Sequence, residues 1–195
     1  MKTSGKLLLA SLLVFALPVL AQAHPGHDGH DLTWSFGTGF GHPLSGWDHL
    51  LAMLAVGLWA AQIGGRARWL LPAAFIATMS LSAALAQNGL ALSGIEQGLA
   101  ASLFILGLLI AAANQLPVVV SVSVASLFAL FHGLAHGAEM PANASGLSYG
   151  LGFVAATALL LLAGLGLGFA LQKQALITRI AGGAVAAAGA LAFVS

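Results

Sequence analysis

Apolar residues fall along this chain in long uninterrupted blocks separated by short polar punctuation. The first block, Leu7 to Leu20, follows Lys2 and Lys6 and precedes Ala21-Gln22-Ala23. A positive end, an apolar run too short for a span and an A-x-A site make a cleavable secretory signal. Cleavage after Ala23 leaves His24 as the mature amino terminus. Six further blocks follow, near 43–64, 69–87, 96–114, 117–138, 147–171 and 176–194. Each approaches the roughly 20 residues that a helix needs to cross a bilayer. Gly, Pro, Asn and Arg mark the connections. The expected fold is all-α: a polytopic membrane helix bundle, its signal at 1–23, a His-rich tail at 24–41 and six transmembrane helices within 42–195. An open sheet is excluded, because its unpaired backbone groups cannot sit in hydrocarbon.

Charge fixes the orientation of these spans. A cleaved signal leaves the tail outside, so the connections after spans one, three and five face the cytoplasm. Arg66 and Arg68 fall in the first and Lys173 in the third, while Arg179 lies close enough to the inner end of span six to snorkel out. These are all the basic residues outside the signal, and the positive-inside rule puts them on the cytoplasmic side. Trp34, Trp47, Trp59 and Trp69 flank spans one and two, where an aromatic belt is expected. Glycines 146, 150, 164, 166 and 168 of span five, and Ala181-Gly182-Gly183-Ala184 of span six, predict close helix packing.

Composition narrows the chemistry. Hydrophobic residues make up 59% of the chain and charged ones 6%, with a mean hydropathy of +0.99, too little polar surface to coat a water-soluble globule. A net charge of +1 offers no basic patch, so nucleic acid is not an expected partner. There is no cysteine, which removes disulfides, thiolate metal sites and thiol nucleophiles.

The ionisable residues that remain in the spans are concentrated. His42-Pro43-Leu44-Ser45-Gly46-Trp47-Asp48-His49 opens span one, where Pro43 suits the first helical position with His42 as cap. On a continuous helix His49 then lies two turns along the same face, and Met53 one turn further, as packing. Span four ends with His132, His136 and Glu139 at i, i+4 and i+7, one stripe of a helix, with Gly133 and Gly137 on the adjacent stripe. Span one enters from the outside and span four leaves to it, so both clusters lie at one depth. Ionisable groups in a span are costly and mark function. Imidazole and carboxylate together suit nickel, zinc, cobalt or copper(II). Ahead of the spans, His24, His27, Asp28 and His30 form a metal-capturing tail. Glu96, at the start of span three, reads as an ordinary interfacial residue.

The run from His42 to Asp48-His49 and the run Phe131-His132-Gly133-Leu134-Ala135-His136-Gly137-Ala138-Glu139 resemble the two signature motifs of the HupE/UreJ family. The signal, the His-rich start and the six spans match as well. The resemblance implies a permease, not an enzyme, that carries Ni2+ or Co2+ across the bacterial inner membrane for nickel enzymes such as hydrogenase and urease. It marks His42, Asp48, His49, His132, His136 and Glu139 as the metal-binding residues. No prosthetic group is implied, and a homo-oligomer is compatible with the sequence. Two other readings stay open. One is an intramembrane zinc hydrolase using Ser45, Ser80 or Ser82, although the H-E-x-x-H pattern is absent. The other is a non-transporting assembly or sensor protein that holds metal.

Overall fold

The computed structural model describes residues 34–140 and 144–194, the side chains of Glu139 and Ala144 excepted. The signal and the tail histidines lie outside them. The described chain is helical throughout: α1 (Phe36–Ser45), α2 (Trp47–Ile63), α3 (Ala67–Gln87), α4 (Ile95–Ala112), α5 (Val118–Glu139), α6 (Ala144–Leu171) and α7 (Ala175–Ala192). Five of these, α3 to α7, are long and apolar enough to cross a membrane. The pair α1 and α2 makes a sixth span if taken as one element.

That pair corrects the expected start of span one. The helix begins earlier, at Ser35, whose hydroxyl accepts from the Thr38 N–H at 3.2 Å while the Ser35 N–H donates to Thr38 Oγ1 at 3.0 Å. This reciprocal cap satisfies two backbone donors that Pro43 and His42 could not serve. Pro43 therefore sits inside α1, and His42 in its last turn. The chain then turns by 82° at Gly46 before α2 starts. His42 and His49 belong to two helices, not to one continuous face. A Cβ at Gly46 would come within 3.1 Å of Asp48 Oδ1 and 3.3 Å of His49 Nδ1, so a larger residue at the corner would press on both site side chains.

α2 is the axis of the bundle. Every residue from Leu51 to Ala61 is buried, Met53 and Trp59 completely. Trp59 is thus a core residue and not part of an aromatic belt, whereas Trp69 is exposed. Around α2 stand the closely packed pairs α3–α5, α4–α7 and α1–α6. Outward-facing positions carry Leu81, Ile105, Leu108, Leu127, Leu159 and Leu176 in exposed settings. An apolar exterior is what a lipid-facing bundle requires.

The pairs close through glycine. A Cβ at Gly57 of α2 would overlap the Leu161 carbonyl and Gly164 of α6, and one at Gly164 would overlap the Leu54 carbonyl. Gly107 and Gly182 join α4 to α7 in the same way, and Gly39 and Gly152 join α1 to α6. Gly133 and Gly137 of α5 rest against Met79, Ser82 and Ala83 of α3, the close approach expected of that stripe. α6 has 28 residues, about 42 Å at 1.5 Å per residue, against roughly 30 Å of hydrocarbon.

Arg66 caps α3, Arg68 follows in its first turn, Lys173 stands between α6 and α7, and Arg179 lies in α7. The end of the bundle that carries these cations is opposite the end that carries the histidines. Gly64 and Gly65, with φ of +79° and +53°, make the turn there from α2 to α3. The Arg68 guanidinium sits 5.0 Å from the Phe169 ring centroid. A cavity of about 570 Å3 opens at this end between Gln62, Arg68, Ala113, Gly168 and Thr178.

Candidate metal site

Three helices deliver four histidines to one place. α1 ends with His42, α2 begins with Asp48 and His49, and the last turns of α5 carry His132 and His136. One nitrogen each from His42, His49 and His136 lies within 4.8 Å of the other two. The His42 and His136 rings are 4.7 Å apart at their centroids, and those of His49 and His136 4.4 Å. An imidazole nitrogen binds a first-row ion at roughly 2.0–2.1 Å, so two ligands across one ion stand about 4 Å apart. The three rings could hold an ion after a shift of about an ångström or less.

The local sequence sets the direction of each ring. Asp48 stands in the first turn of α2, where the helix dipole favours a carboxylate. Its Oδ1 accepts from the His49 backbone N–H at 2.9 Å and faces His49 Nδ1 at 2.7 Å. An ionised carboxylate has no proton to give, so His49 Nδ1 carries the hydrogen and Nε2 the lone pair. That Nε2 is directed at His136 Nε2. Two ring nitrogens facing each other this way need a proton or a cation between them. The Phe153 ring of α6 lies tilted against both His136 and His42, and Tyr149 approaches His42 edge-on. These aromatic walls leave the imidazoles few orientations.

His132 stands apart from this trio. It lies one helical turn further from the outer end of α5 than His136, with 1% of its surface exposed. Its ring centroid is 5.2 Å from that of His49 and 5.8 Å from Phe75. The structure therefore brings five of the six expected side chains together: His42, Asp48, His49, His132 and His136. Glu139 occupies the next turn of α5 outward, but its side chain is outside what is described, as are His24, His27, Asp28 and His30. Glu96 is exposed in the first turn of α4. Ser45 and Ser82 donate their hydroxyl protons to backbone carbonyls, Ser45 to His42 at 2.8 Å and Ser82 to Thr78 at 2.8 Å. A cavity of about 440 Å3 flanks His136, lined also by Met79, Gln87, Gly133, Met140 and Phe153. It provides room for an ion to approach that ring.

Two features of the site escaped the sequence. The aromatic walls lie on α6, whose phenylalanine and tyrosine look like any lipid-facing residues. Ser102 faces His132 from α4, its Oγ 3.5 Å from His132 Nε2. Its signal was available: it is the sole hydroxyl of α4.

A buried central helix, an apolar exterior and an imidazole cluster at one end of the bundle define a polytopic membrane protein with a polar site inside it. The chain belongs to the HupE/UreJ family, whose sequence model, described as HupE / UreJ protein, matches residues 12–192. It is 42% identical over 183 residues to Protein HupE of Rhizobium leguminosarum bv. viciae, a match covering 92% of this chain and 93% of that protein. No solved structure matches it.

Proposed function

We propose that this protein is an inner-membrane permease that carries a divalent transition-metal ion, nickel foremost and cobalt next, from the periplasm inward. The supporting observation is the convergence of three imidazoles from α1, α2 and α5 within 4.8 Å of one another. Apart from Asp48, His132 and Glu139 in α2 and α5, the charged residues of the described helices are Arg68, Glu96 and Arg179, each in the first two turns of its helix. Nitrogen ligands with one carboxylate suit nickel and cobalt, and the chain has no thiolate to favour copper(I). Nickel is preferred on family membership, which links the protein indirectly to the maturation of nickel enzymes. His24, His27, Asp28 and His30 raise the local metal concentration, and Glu139 adds charge compensation at the outer mouth. His42, Asp48, His49, His132 and His136 then replace the water around the ion. A site of this kind must bind well enough to admit the ion and weakly enough to release it.

The test is uptake by proteoliposomes holding the purified chain and a metal-sensitive dye, presented in turn with nickel, cobalt and zinc. Nickel entry well above that of empty vesicles is expected. Tight metal binding with no entry would mark an assembly or sensor protein, and ester or amide cleavage a hydrolase.

The orientation has its own test. Reporters fused after Arg68 or Lys173 are expected in the cytoplasm, and one fused at Ser195 in the periplasm. A cytoplasmic carboxyl terminus would turn the histidine end of α5 inward and overturn uptake from that face.

A further inference from the structure

The hydrogen bonds around Ser102 decide which nitrogen of His132 can bind. Ser102 is 1% exposed, and its hydroxyl donates to the Leu99 carbonyl at 2.6 Å. A serine has one proton to give, and that short bond holds it. Towards His132 Nε2, 3.5 Å away, the same oxygen can therefore only accept. This contact favours the ring proton on Nε2 and a bare lone pair on Nδ1. This Nδ1 is buried and has no hydrogen-bond partner among the described residues. An unpaired polar atom in such a place is costly, on the order of 1–3 kcal/mol, and a bound cation would remove that cost.

His49 shows the complementary arrangement. Asp48 holds the proton on its Nδ1 and turns Nε2 towards His136. The outer trio is served by an Nε2 lone pair, and the residue one turn deeper by an Nδ1 lone pair. The His49 ring lies between the two, 4.4 Å from His136 and 5.2 Å from His132.

We propose that His132 Nδ1 forms a second, deeper ion position that receives the metal from the outer trio through His49, and that Ser102 is the positioning residue that fixes its tautomer. The transport part rests on the permease reading. The tautomer and the binding order do not. Outer-shell partners of metal-binding histidines hold the ring and raise its basicity, and their loss typically costs 10–100-fold in affinity or activity. Ser102 here serves His132 as Asp48 serves His49, with a neutral hydroxyl in place of a carboxylate. The deeper position is thereby the less negative of the two, as a step on the way to release should be.

The experiment uses the whole protein with isotope-labelled histidine nitrogens, read by nuclear magnetic resonance, with His132 assigned by the signal that His132→Asn removes. In the metal-free protein, His132 is expected protonated at Nε2 and bare at Nδ1. Added zinc, a diamagnetic probe, is expected to shift His132 Nδ1 after it has shifted His49 Nε2. Ser102→Ala leaves only a carbonyl already serving the helix, so the fold should tolerate it. It is expected to erase the tautomer preference and to slow nickel uptake about 10-fold, with half-saturation changed less than about twofold. Ser102→Thr, which keeps the hydroxyl, is expected to restore the tautomer. A proton on His132 Nδ1 in the unaltered protein would overturn the proposal. So would zinc that shifts His42, His49 and His136 but never His132, or Ser102→Ala transporting at the full rate. The resonance signals need no transport, so they stand or fall apart from the permease reading.

Discussion

Replacing His49 with alanine is expected to lower nickel uptake by about 100-fold or more at matched membrane abundance. His49 is held by Asp48, directed at His136 and set edge-on to both His42 and His132. A 100-fold loss corresponds to about 2.8 kcal/mol at 1.4 kcal/mol per tenfold, ordinary for the removal of one ligand from a site with few. His136→Ala is expected to match it, because the same nitrogen pair is broken from the other side. The double variant should be little worse than either, since residues that act as one unit do not add. Asp48→Asn should be milder, about 10-fold, because an amide can still occupy the place beside His49 Nδ1 while the negative charge is lost. Metal uptake and protein abundance measured on the same membranes decide the matter. Near-normal uptake by folded His49→Ala would remove this cluster from the path.

Gly164→Val is expected to prevent stable assembly of the bundle, whereas Gly166→Val, two residues away, should be nearly silent. The contrast comes from what each new side chain would meet. At Gly164 a Cβ overlaps the backbone of Leu54, and no rotamer can move a carbonyl out of the way. At Gly166 nothing lies within 4 Å. Overpacking of a well-packed interior typically costs 1–3 kcal/mol, and forcing two backbones apart along the central helix should cost about 3 kcal/mol or more. The yield of monodisperse protein in detergent and its melting temperature are the measurements. Equal behaviour of the two variants would show that α2 and α6 do not pack through this glycine.

Much of this architecture was legible because membrane spans are written in a coarse code. Length and apolar content suffice for a helix that must satisfy its own backbone, and α3 to α7 begin and end within three residues of the expected boundaries. The stripe of Gly133 and Gly137 could be read for the same reason, since four-residue spacing has one geometric meaning. The corner at Gly46 was not legible. Pro43 is a strong local signal for a helix start, yet Ser35 and Thr38 supply a cap that Pro43 cannot, and the bond that Pro43 fails to donate helps to end the helix two residues later. The juxtaposition of His42 and His49 survives that error. The corner returns His42 to the neighbourhood of His49, with ring centroids 6.0 Å apart. Trp59 misled for a different reason. Tryptophan at the end of an apolar run is an interfacial residue only if the helix faces lipid, and α2 faces protein on every side.

The interleaving of His132, Gly133, His136 and Gly137 on α5 gives one short stretch two obligations. One stripe points to the imidazole cluster, and its neighbour, a single residue on, is pressed against α3. A mutational scan across this stretch would return a nearly continuous block of inactive variants, and the block would have two causes. Variants at the histidines should leave protein that reaches the membrane and does nothing. Variants at the glycines should leave little protein to assay. Inactivity alone cannot sort one class from the other, so the boundary between recognition and assembly runs between adjacent residues of a single helix.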